Sequence, residues 1–334
     1  MKIGHVDIDR DVLVVAEIGN NHEGDLGLAE ELISLAAKAG AQAVKFQTIL
    51  PEKLVAPDQG ARLAQLRRIC IPAEAHERLA ARANREGVMF LSTPFYLEAV
   101  DLLDPLVPAF KIASGDNNFI PLLKRVGAAG KPILLSTGMA DIATVTASTR
   151  ALEDIYRERQ QTLPLVLMHC VSAYPTAADQ ANLRAISTLR ALGHHVGYSD
   201  HTLGTQACVM AVALGARVLE KHFTIAKDHS EFRDHKLSAD PEEMRELIEV
   251  VREANAMVGD GEKRVMKDEQ ATAAKRSIAA ARDLPAGHRL TENDLAWLRP
   301  ADGLAPGNEG MLLGHVLRGA VRAGERLTPD NLQA

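Results

Sequence analysis

Eight short apolar runs that alternate with helix-like segments constrain the fold of this chain more than any other feature. The runs lie at residues 12–19, 41–48, 88–95, 109–116, 132–139, 165–172, 195–202 and 216–223. The segments between them have apolar residues at helical spacing and often end in Gly, a common helix stop. Eight strand–helix repeats in about 250 residues are typical of an α/β fold of the (β/α)8 TIM barrel type. The competing fold, a doubly wound open sheet, needs a GxGxxG turn after its first strand, and "EIGNNHEG" does not supply one.

Nearly every run is apolar at its start and polar at its end, and a TIM barrel carries its catalytic groups at the C-terminal ends of its strands. The polar residues at these ends are Glu17, Lys45, Thr93, Lys111, Ser114, Ser136, His169, His201, Glu220 and His222. In the last run, "ARVLEKHF", Glu220 and His222 share one face because side chains alternate along a strand, so Lys221 should point the other way. The pattern predicts an active site at one end of the barrel.

His201 and His222 occupy the seventh position of the last two runs. Neighbouring strands lie about 5 Å apart, so the two imidazoles can share one metal ion. Two neutral His ligands leave positions open, which suits an octahedral cation such as Mn²⁺ or Mg²⁺. Closing the barrel brings the first strand beside the last, so Glu17 can support the metal or accept a proton. The alternative is that each His is a core residue bonded to a backbone carbonyl.

A second group of strand-end residues combines two ammonium groups with hydroxyls, which are the groups that a phosphate and a carboxylate require. Its members are Lys45, Thr93, Lys111, Ser114 and Ser199. One alternative is that the lysines extend outward from the rim of the barrel. Another is Schiff-base chemistry, in which Lys45 or Lys111 attacks a carbonyl group.

Several loop residues are weaker candidates. Asp116, Tyr174 and Asp234 follow strand runs, and Asp234 precedes "SADPEE", a typical helix start, on a loop expected over the barrel mouth. The residues Asn20 to His22, after the first run, can be turn residues or site residues. Cys170 is expected to be a small buried residue rather than a nucleophile.

The sequence also predicts a second domain. "PAGHRLTENDL" (285–295) and "RAGERLTPDNL" (322–332) form an internal repeat in a compact C-terminal module. We therefore expect a barrel domain over residues 1–260, a linker over 261–275 and the module over 276–334. The net charge of −6 gives no reason to expect nucleic acid. Three scattered cysteines, and no apolar run long enough for a membrane span or a signal peptide, predict a soluble cytoplasmic protein.

Seven motifs occur in the order in which they occur in the sialic acid synthase family: "AEIGNNHEG", "AVKFQT", "STPF", "FKIASGD", "ILLSTGM", "YSDHT" and "LEKHFT". The resemblance extends to the C-terminal module, which is similar to the family's antifreeze-like (SAF) domain of the β-clip type. It implies a transferase that condenses phosphoenolpyruvate with an N-acetylated hexosamine, giving a nine-carbon 2-keto sugar acid and phosphate.

The resemblance also implies roles for individual residues. His201 and His222 match the metal ligands, with Mn²⁺ expected ahead of Mg²⁺ or Co²⁺. The phosphoenolpyruvate-binding set corresponds to Lys45, Thr93, Lys111, Ser114, Ser172 and Ser199. Glu17, Tyr174, Glu220 and Asp234 match residues around the sugar and the metal-bound water, and Lys45 and Lys111 would stabilise the departing phosphate. The candidate bases are Glu17, Asp116 and Glu220. Arg299 matches an arginine that reaches the partner's barrel, which implies a domain-swapped homodimer.

Three departures from the family pattern leave the acceptor sugar open. Asp116 stands where Glu is usual, and Ser172 stands where well-known sialic acid synthases carry Asn. The aromatic residue that some members place just before the C-terminal module is missing from "TAAKRS". The acceptor can be an N-acetylmannosamine-like hexosamine or a 2,4-diacetamido-2,4,6-trideoxyhexose, which would give legionaminic or pseudaminic acid. An alternative from another class is a non-catalytic carbohydrate-binding protein.

Overall fold

The computed structural model describes residues 1–162 and 164–333; Leu163 and Ala334, both within predicted domains, lie outside the described residues. The chain divides into two compact units, Met1–Gly259 and Asp260–Ala334. The division falls next to the predicted end of the barrel domain at residue 260. Among the described residues, no helix is both long and apolar enough to cross a membrane.

The first unit is built on eight parallel strands. These strands, β1 to β8, are Leu13–Gly19, Ala43–Thr48, Met89–Pro94, Phe110–Ile112, Ile133–Ser136, Leu165–Cys170, His195–Asp200 and Ala216–His222. They pair in the order β3-β2-β1-β8-β7-β6-β5-β4. The end strands β3 and β4 have Cα atoms within 8 Å of each other, which completes a near-closed barrel. The predicted (β/α)8 fold is confirmed, and β1 lies beside β8 as expected, with His222 opposite Glu17.

Alternation along each strand separates two apolar layers. In β1, Val14, Ala16 and Ile18 face the helices, whereas Leu13 and Val15 face the barrel interior. The interior layer also contains Ile3, Val6 and Ile8 from the N-terminal segment, which close the lower end of the barrel with apolar side chains. Glu17 follows Leu13 and Val15 in the same phase, so it points into the barrel at the opposite end. The two-residue alternation along the strands thus places polar side chains inside the upper end of the barrel and apolar side chains inside its lower end.

Ten helices accompany these strands in the described part of the first unit. Helices α1 to α10 are Leu26–Lys38, Pro51–Leu54, Gly60–Ile69, Ala73–Glu86, Ala99–Leu103, Ile120–Ala129, Ile142–Glu158, Ala185–Arg190, Gln206–Ala213 and Pro241–Val258. The helix start predicted at "SADPEE" is confirmed, because Asp240 and Glu243 form a capping box at the start of α10.

Several predicted strands extend too far at their C-terminal ends. The clearest case is the run 109–116, of which only Phe110–Ile112 is strand, while Ser114–Asp116 forms a 3₁₀ turn. Ser114, Gly115 and Asp116 are residue types that favour turns, so the backbone turns at this point instead of continuing the strand. Asp116, Ser172 and His201 therefore lie in loops just beyond their strands.

The second unit contains a short helix, α11 (Ala271–Ala274), and two antiparallel strands, β9 (Ser277–Ala280) and β10 (Leu295–Leu298). Its core is formed mainly by leucines. The sequence repeat has a structural counterpart: Thr291 with Asp294, and Thr328 with Asn331, form equivalent capping turns. The prediction of a repeat-containing compact module agrees with this arrangement.

Candidate active site

Four ionisable side chains from four strands meet inside the upper end of the barrel. Lys45 Nζ lies 2.8 Å from Glu17 Oε2 and 3.8 Å from Glu220 Oε2, and Lys111 Nζ lies 2.9 Å from both Glu220 oxygens. Glu17, Lys45, Lys111 and Glu220 are only 2%, 3%, 3% and 5% exposed. The alternative in which the lysines extend outward from the rim is therefore wrong. Two ammonium groups balance two carboxylates, which offsets the cost of burying each charge.

The two carboxylates differ in proton affinity. Burial raises the pKa of Glu17, and the neighbouring Lys45 only partly opposes this effect. Burial acts on Glu220 in the same direction, but Lys111 and Lys45 together outweigh it and lower the pKa of Glu220 to about 2. Burial disfavours the charged form of Lys45, yet Glu17 and Glu220 raise its pKa overall. A neutral lysine, which a Schiff base requires, is therefore disfavoured at Lys45.

Hydroxyl groups surround this charged cluster. Thr93 Oγ1 accepts a hydrogen bond from Lys45 Nζ at 3.0 Å, and Ser199 Oγ donates to Glu220 Oε1 at 2.9 Å. Ser114 Oγ accepts from the backbone N–H of Gly138 at 3.1 Å. These contacts place three predicted binding residues beside the lysines or at the adjoining strand ends.

At the strand ends of the site, Ser136 Oγ and Ser172 Oγ are buried and have no hydrogen-bond partner within the described part of the chain. A Cβ atom built on Gly138 would lie 2.5 Å from Ser172 Oγ and 2.6 Å from Ser114 Oγ, so a small cradle remains open only because this residue is glycine. Ser136 lies two residues after Leu134 in the same strand, so its side chain points to the same side, the barrel interior. In the sequence, Ser136 is one of the polar residues at the strand ends, but no role is predicted for it. Its two-residue spacing from Leu134 is the signal that could have identified it as a residue facing the site.

The two predicted metal ligands lie side by side. The ring centroids of His201 and His222 are 5.4 Å apart, and the Tyr174 ring lies 4.1 Å and 6.0 Å from them. His201 Nδ1 lies 2.8 Å from the carbonyl oxygen of Val171. In the neutral ring, donation to that oxygen places the proton on Nδ1 and leaves a lone pair on Nε2. One ring nitrogen of His201 thus bonds a backbone carbonyl, as the core-residue alternative predicts. The other nitrogen is available to bind a ligand.

His222 does not fit the core-residue alternative, because its buried Nδ1 has no hydrogen-bond partner among residues 1–162 and 164–333. Burial and the neighbouring His201 hold its pKa well below the usual range, so the ring is neutral. A neutral imidazole with an unpartnered nitrogen is suited to a metal ion. In the described ranges, no group of three or more His, Cys, Asp or Glu side chains is arranged to hold an ion. The pair would therefore supply two ligands and leave the other positions open.

The remaining predicted residues occupy the loops. Asp234 is 8% exposed and its Oδ1 lies 3.0 Å from Arg233 Nε, while the Arg233 guanidinium lies 4.8 Å from the centroid of the Tyr174 ring. These contacts bring Tyr174 and the Asp234 loop to the side of the histidine pair. Asp116 has a buried Oδ2 for which the described chain offers no hydrogen-bond partner, and burial raises the pKa of this carboxyl. Arg299 is exposed on the second unit.

Lys221 points away from the site, as predicted. Its Nζ donates to Asp200 Oδ2 at 2.8 Å and to the Thr202 carbonyl at 2.6 Å, behind the strands that carry the histidines. Tyr198 also donates to Asp200 at 3.0 Å. Sequence reasoning missed Asp200, although an outward, buried lysine at position 221 needs a carboxylate partner on the neighbouring strand. This ion pair explains how three consecutive ionisable residues can end a buried strand.

A TIM barrel with buried lysines, carboxylates and a neutral imidazole at its strand ends is the scaffold and active site of an enzyme. The NeuB family matches residues 32–263, and the SAF domain matches residues 275–333. The chain therefore belongs to the NeuB family and carries a SAF domain. It is a carbon–carbon bond-forming synthase, which confirms the class predicted from the motifs and excludes a non-catalytic carbohydrate-binding protein.

Characterised relatives align over nearly the whole chain. An N,N'-diacetyllegionaminic acid synthase of Legionella pneumophila is 37% identical over 338 residues, covering 96% of this chain and 94% of that protein. A pseudaminic acid synthase of Campylobacter jejuni is 35% identical, with 100% of both chains covered. The solved structure of an N-acetylneuraminic acid synthetase from Leptospira borgpetersenii has a TM-score of 0.75 and 31% identity, covering 81% of this chain and 93% of that one.

Proposed function

We propose that this enzyme condenses phosphoenolpyruvate with an N-acetylated amino sugar to give a nine-carbon 2-keto sugar acid and inorganic phosphate. The observation that carries the proposal is the buried group of Lys45, Lys111, Glu17 and Glu220 beside unpartnered hydroxyls. The names of the relatives support the same reaction type.

The lysines and hydroxyls suit an anionic substrate that carries both a phosphate and a carboxylate. We assign phosphoenolpyruvate binding to the set predicted from the sequence, with one addition. The set is Lys45, Thr93, Lys111, Ser114, Ser172 and Ser199, and the addition is Ser136. Ser172 departs from the family's Asn, but its free hydroxyl still offers a hydrogen-bond donor. Glu220 holds the Lys111 ammonium group in a buried position.

The difference in proton affinity between the carboxylates assigns their roles. Carbon 3 of phosphoenolpyruvate attacks the sugar aldehyde, water adds to carbon 2 with loss of a proton, and the tetrahedral phosphate ester expels phosphate. Glu17 is the candidate base for that water, because its raised pKa lets it accept a proton. Glu220, with a pKa of about 2, stays ionised and can stabilise the positive charge that develops at carbon 2. Asp116 remains an alternative base, and Lys111 would stabilise the leaving phosphate.

His201 and His222 would hold a divalent cation, with Mn²⁺ proposed ahead of Mg²⁺ or Co²⁺. When bound, such an ion polarises a carbonyl oxygen and increases the electrophilicity of its carbon. The support is the neutral His222 ring and the Nε2 lone pair that the Val171 contact leaves on His201. Tyr174, which lies against both rings, and Asp234 would bind the sugar.

Two acceptor classes remain as candidates. An N-acetylmannosamine-like hexosamine would give an N-acetylneuraminate-type product. A 2,4-diacetamido-2,4,6-trideoxyhexose would give legionaminic or pseudaminic acid. The second class is favoured by one observation: the legionaminic acid synthase of L. pneumophila is 37% identical to this chain, against 33% for the mouse N-acetylneuraminate-9-phosphate synthase.

We further propose a domain-swapped homodimer in which Arg299 of one subunit reaches the barrel of the other. The exposure of Arg299 on the SAF domain is compatible with such a contact. All three cysteines are unpaired, which supports a reducing compartment such as the cytoplasm.

The experiment that tests the reaction is phosphate release from phosphoenolpyruvate in the presence of Mn²⁺ and a panel of amino sugars. The panel contains N-acetylmannosamine and 2,4-diacetamido-2,4,6-trideoxyhexoses. We expect release with one acceptor class, loss of release with EDTA, and recovery on adding Mn²⁺. Release without any sugar, or none with any member, would contradict the proposal. Product mass distinguishes an N-acetylneuraminate-type acid from a product of the diacetamido class.

A further inference from the structure

The chain between β8 and α10 forms a closed loop over residues 224–238, which contains Asp234. The loop leaves the barrel after Phe223 and returns at Ala239, and these two residues form a parallel bridge. Thr224 N–H donates to the Ala239 carbonyl at 3.0 Å, and Ala239 N–H donates to the His222 carbonyl at 2.7 Å. Both ends of the loop are therefore anchored beside His222, while its middle needs other contacts to hold its shape.

Asn21, in the loop after β1, provides one such contact. Its side chain is fully buried and its Nδ2 donates to the Phe223 carbonyl at 2.8 Å and to Ser238 Oγ at 2.9 Å. Ser238 Oγ in turn donates to the backbone carbonyl of Asp234 at 2.6 Å. A continuous chain of hydrogen bonds thus connects the loop after β1 with the backbone of Asp234.

Glu23, two residues further on, holds the other side of the loop. Its Oε1 accepts a hydrogen bond from Ser230 Oγ at 2.5 Å and lies 3.2 Å from His235 Nε2. His235 is fully buried, and its Nδ1 lies 2.7 Å from Thr224 Oγ1. The carboxylate of Glu23 therefore connects two points of the 224–238 loop on either side of Asp234.

We propose that Asn21 and Glu23 are positioning residues that hold the 224–238 loop in the conformation that binds the amino sugar. The inference rests on the proposed function and deepens it, because it explains how Asp234 reaches the sugar site. The ion pair of Asp234 is with its own neighbour, Arg233, so the place of its carboxylate is set by the loop backbone. That backbone is held by Ser238 and His235, which contact Asn21 and Glu23 respectively. We call the contacts of Asn21 and Glu23 with this loop the clamp. Loss of the clamp should weaken sugar binding and leave phosphoenolpyruvate binding intact.

The test compares Glu23→Ala and Ser238→Ala with the wild type and with Glu31→Ala, a change at an exposed residue of α1. In each clamp variant we expect the KM for the amino sugar to rise about tenfold, the factor that corresponds to one lost charge-assisted or buried hydrogen bond. The KM for phosphoenolpyruvate should stay within a factor of about two, which is below the effect of one such bond. Glu23→Gln, which keeps an acceptor oxygen for Ser230, should restore part of the loss.

Limited trypsin digestion supplies a readout independent of turnover, because Lys227, Arg233 and Lys236 are cleavage sites within the loop. Cleavage there should be faster in the clamp variants than in Glu31→Ala, and the amino sugar should slow it in the wild type. Equal KM values and equal cleavage rates would overturn the inference while leaving the reaction intact. A parallel rise in both KM values would overturn it in favour of a general structural role. A wild type inactive with every sugar would instead overturn the proposed function and, with it, the sugar-binding role of the clamp.

Discussion

Lys111 and Glu220 lie 109 residues apart in the chain, yet the Lys111 ammonium group is 2.9 Å from both oxygens of the Glu220 carboxylate. Because both side chains are buried, each charge depends on the other for its stability inside the barrel. The same ammonium group is proposed to bind the anionic substrate. Substrate and Glu220 would therefore share Lys111 during the reaction.

Replacing Lys111 with Met tests this shared role. We expect kcat to fall by a factor of about 10²–10³, the usual loss for one group that stabilises transition-state charge. The variant also leaves Glu220 buried without its closest cation, which should cost about 3–5 kcal/mol of unfolding free energy. Phosphate release and chemical denaturation measure the two effects. Lys124→Met, at an exposed site on α6, is the matched control.

The double variant Lys111→Met/Glu220→Gln separates charge pairing from catalysis. Removing both charges should recover much of the stability lost in Lys111→Met, because no buried charge is then left without its partner. Activity should not recover. A double variant as unstable as the single one would show that the pair does not stabilise the barrel as described.

The open space at Gly138 gives a prediction for phosphoenolpyruvate binding. A methyl group at this position would meet Ser172 Oγ at 2.5 Å and Ser114 Oγ at 2.6 Å. Gly138→Ala should therefore raise the KM for phosphoenolpyruvate by about tenfold or more, since one displaced hydrogen-bonding group is worth about that factor. The KM for the sugar should change little. Gly60→Ala is the control, because an added Cβ at Gly60 meets nothing within 4 Å. Equal KM values for phosphoenolpyruvate in the two variants would contradict the proposed cradle.

The histidine pair gives a prediction for metal binding. His222→Ala should abolish high-affinity Mn²⁺ binding measured by calorimetry, because only the imidazole of His201 would remain of the proposed pair. EDTA-treated wild type should bind Mn²⁺ and regain activity. His315→Ala, at an exposed site on the SAF domain, should bind Mn²⁺ as the wild type does. Unchanged Mn²⁺ affinity in His222→Ala would exclude the proposed ligand pair.

The barrel could be predicted from the sequence because each strand is a short run whose buried positions are apolar on both faces. The same period placed Glu17 and Glu220 inside the barrel and Lys221 outside it. The ends of the strands could not be predicted as well, since polar residues such as Ser114 and Asp116 fit either a strand or a turn by composition.

Contacts between distant loops were the least predictable part of the site. Asn21 looks like a turn residue in the sequence, but its partners, Phe223 and Ser238, lie more than 200 positions away. The pairing of Lys111 with Glu220 was equally hidden, because the sequence shows which side chains face the interior but not which ones meet across it. The Asp200 partner of Lys221 could have been found, since adjacent strands place the two residues at the same height.

A buried carboxylate in the second unit gives a prediction for the stability of that unit in acid. Asp294 is fully buried, and although burial raises its pKa, hydrogen bonds from His288, Thr291 and Arg282 hold that pKa well below the usual 3.8. Because the folded pKa is lowered, these contacts stabilise the unit above pH 3.8 and are lost as the pH falls towards the folded value. The chain's one tryptophan, Trp297, lies in this unit, so its fluorescence reports unfolding there. Asp294→Asn should lower the midpoint of chemical denaturation at pH 7 and flatten its acid dependence. A variant that matches the wild type at both neutral and acid pH would show that Asp294 does not stabilise the unit.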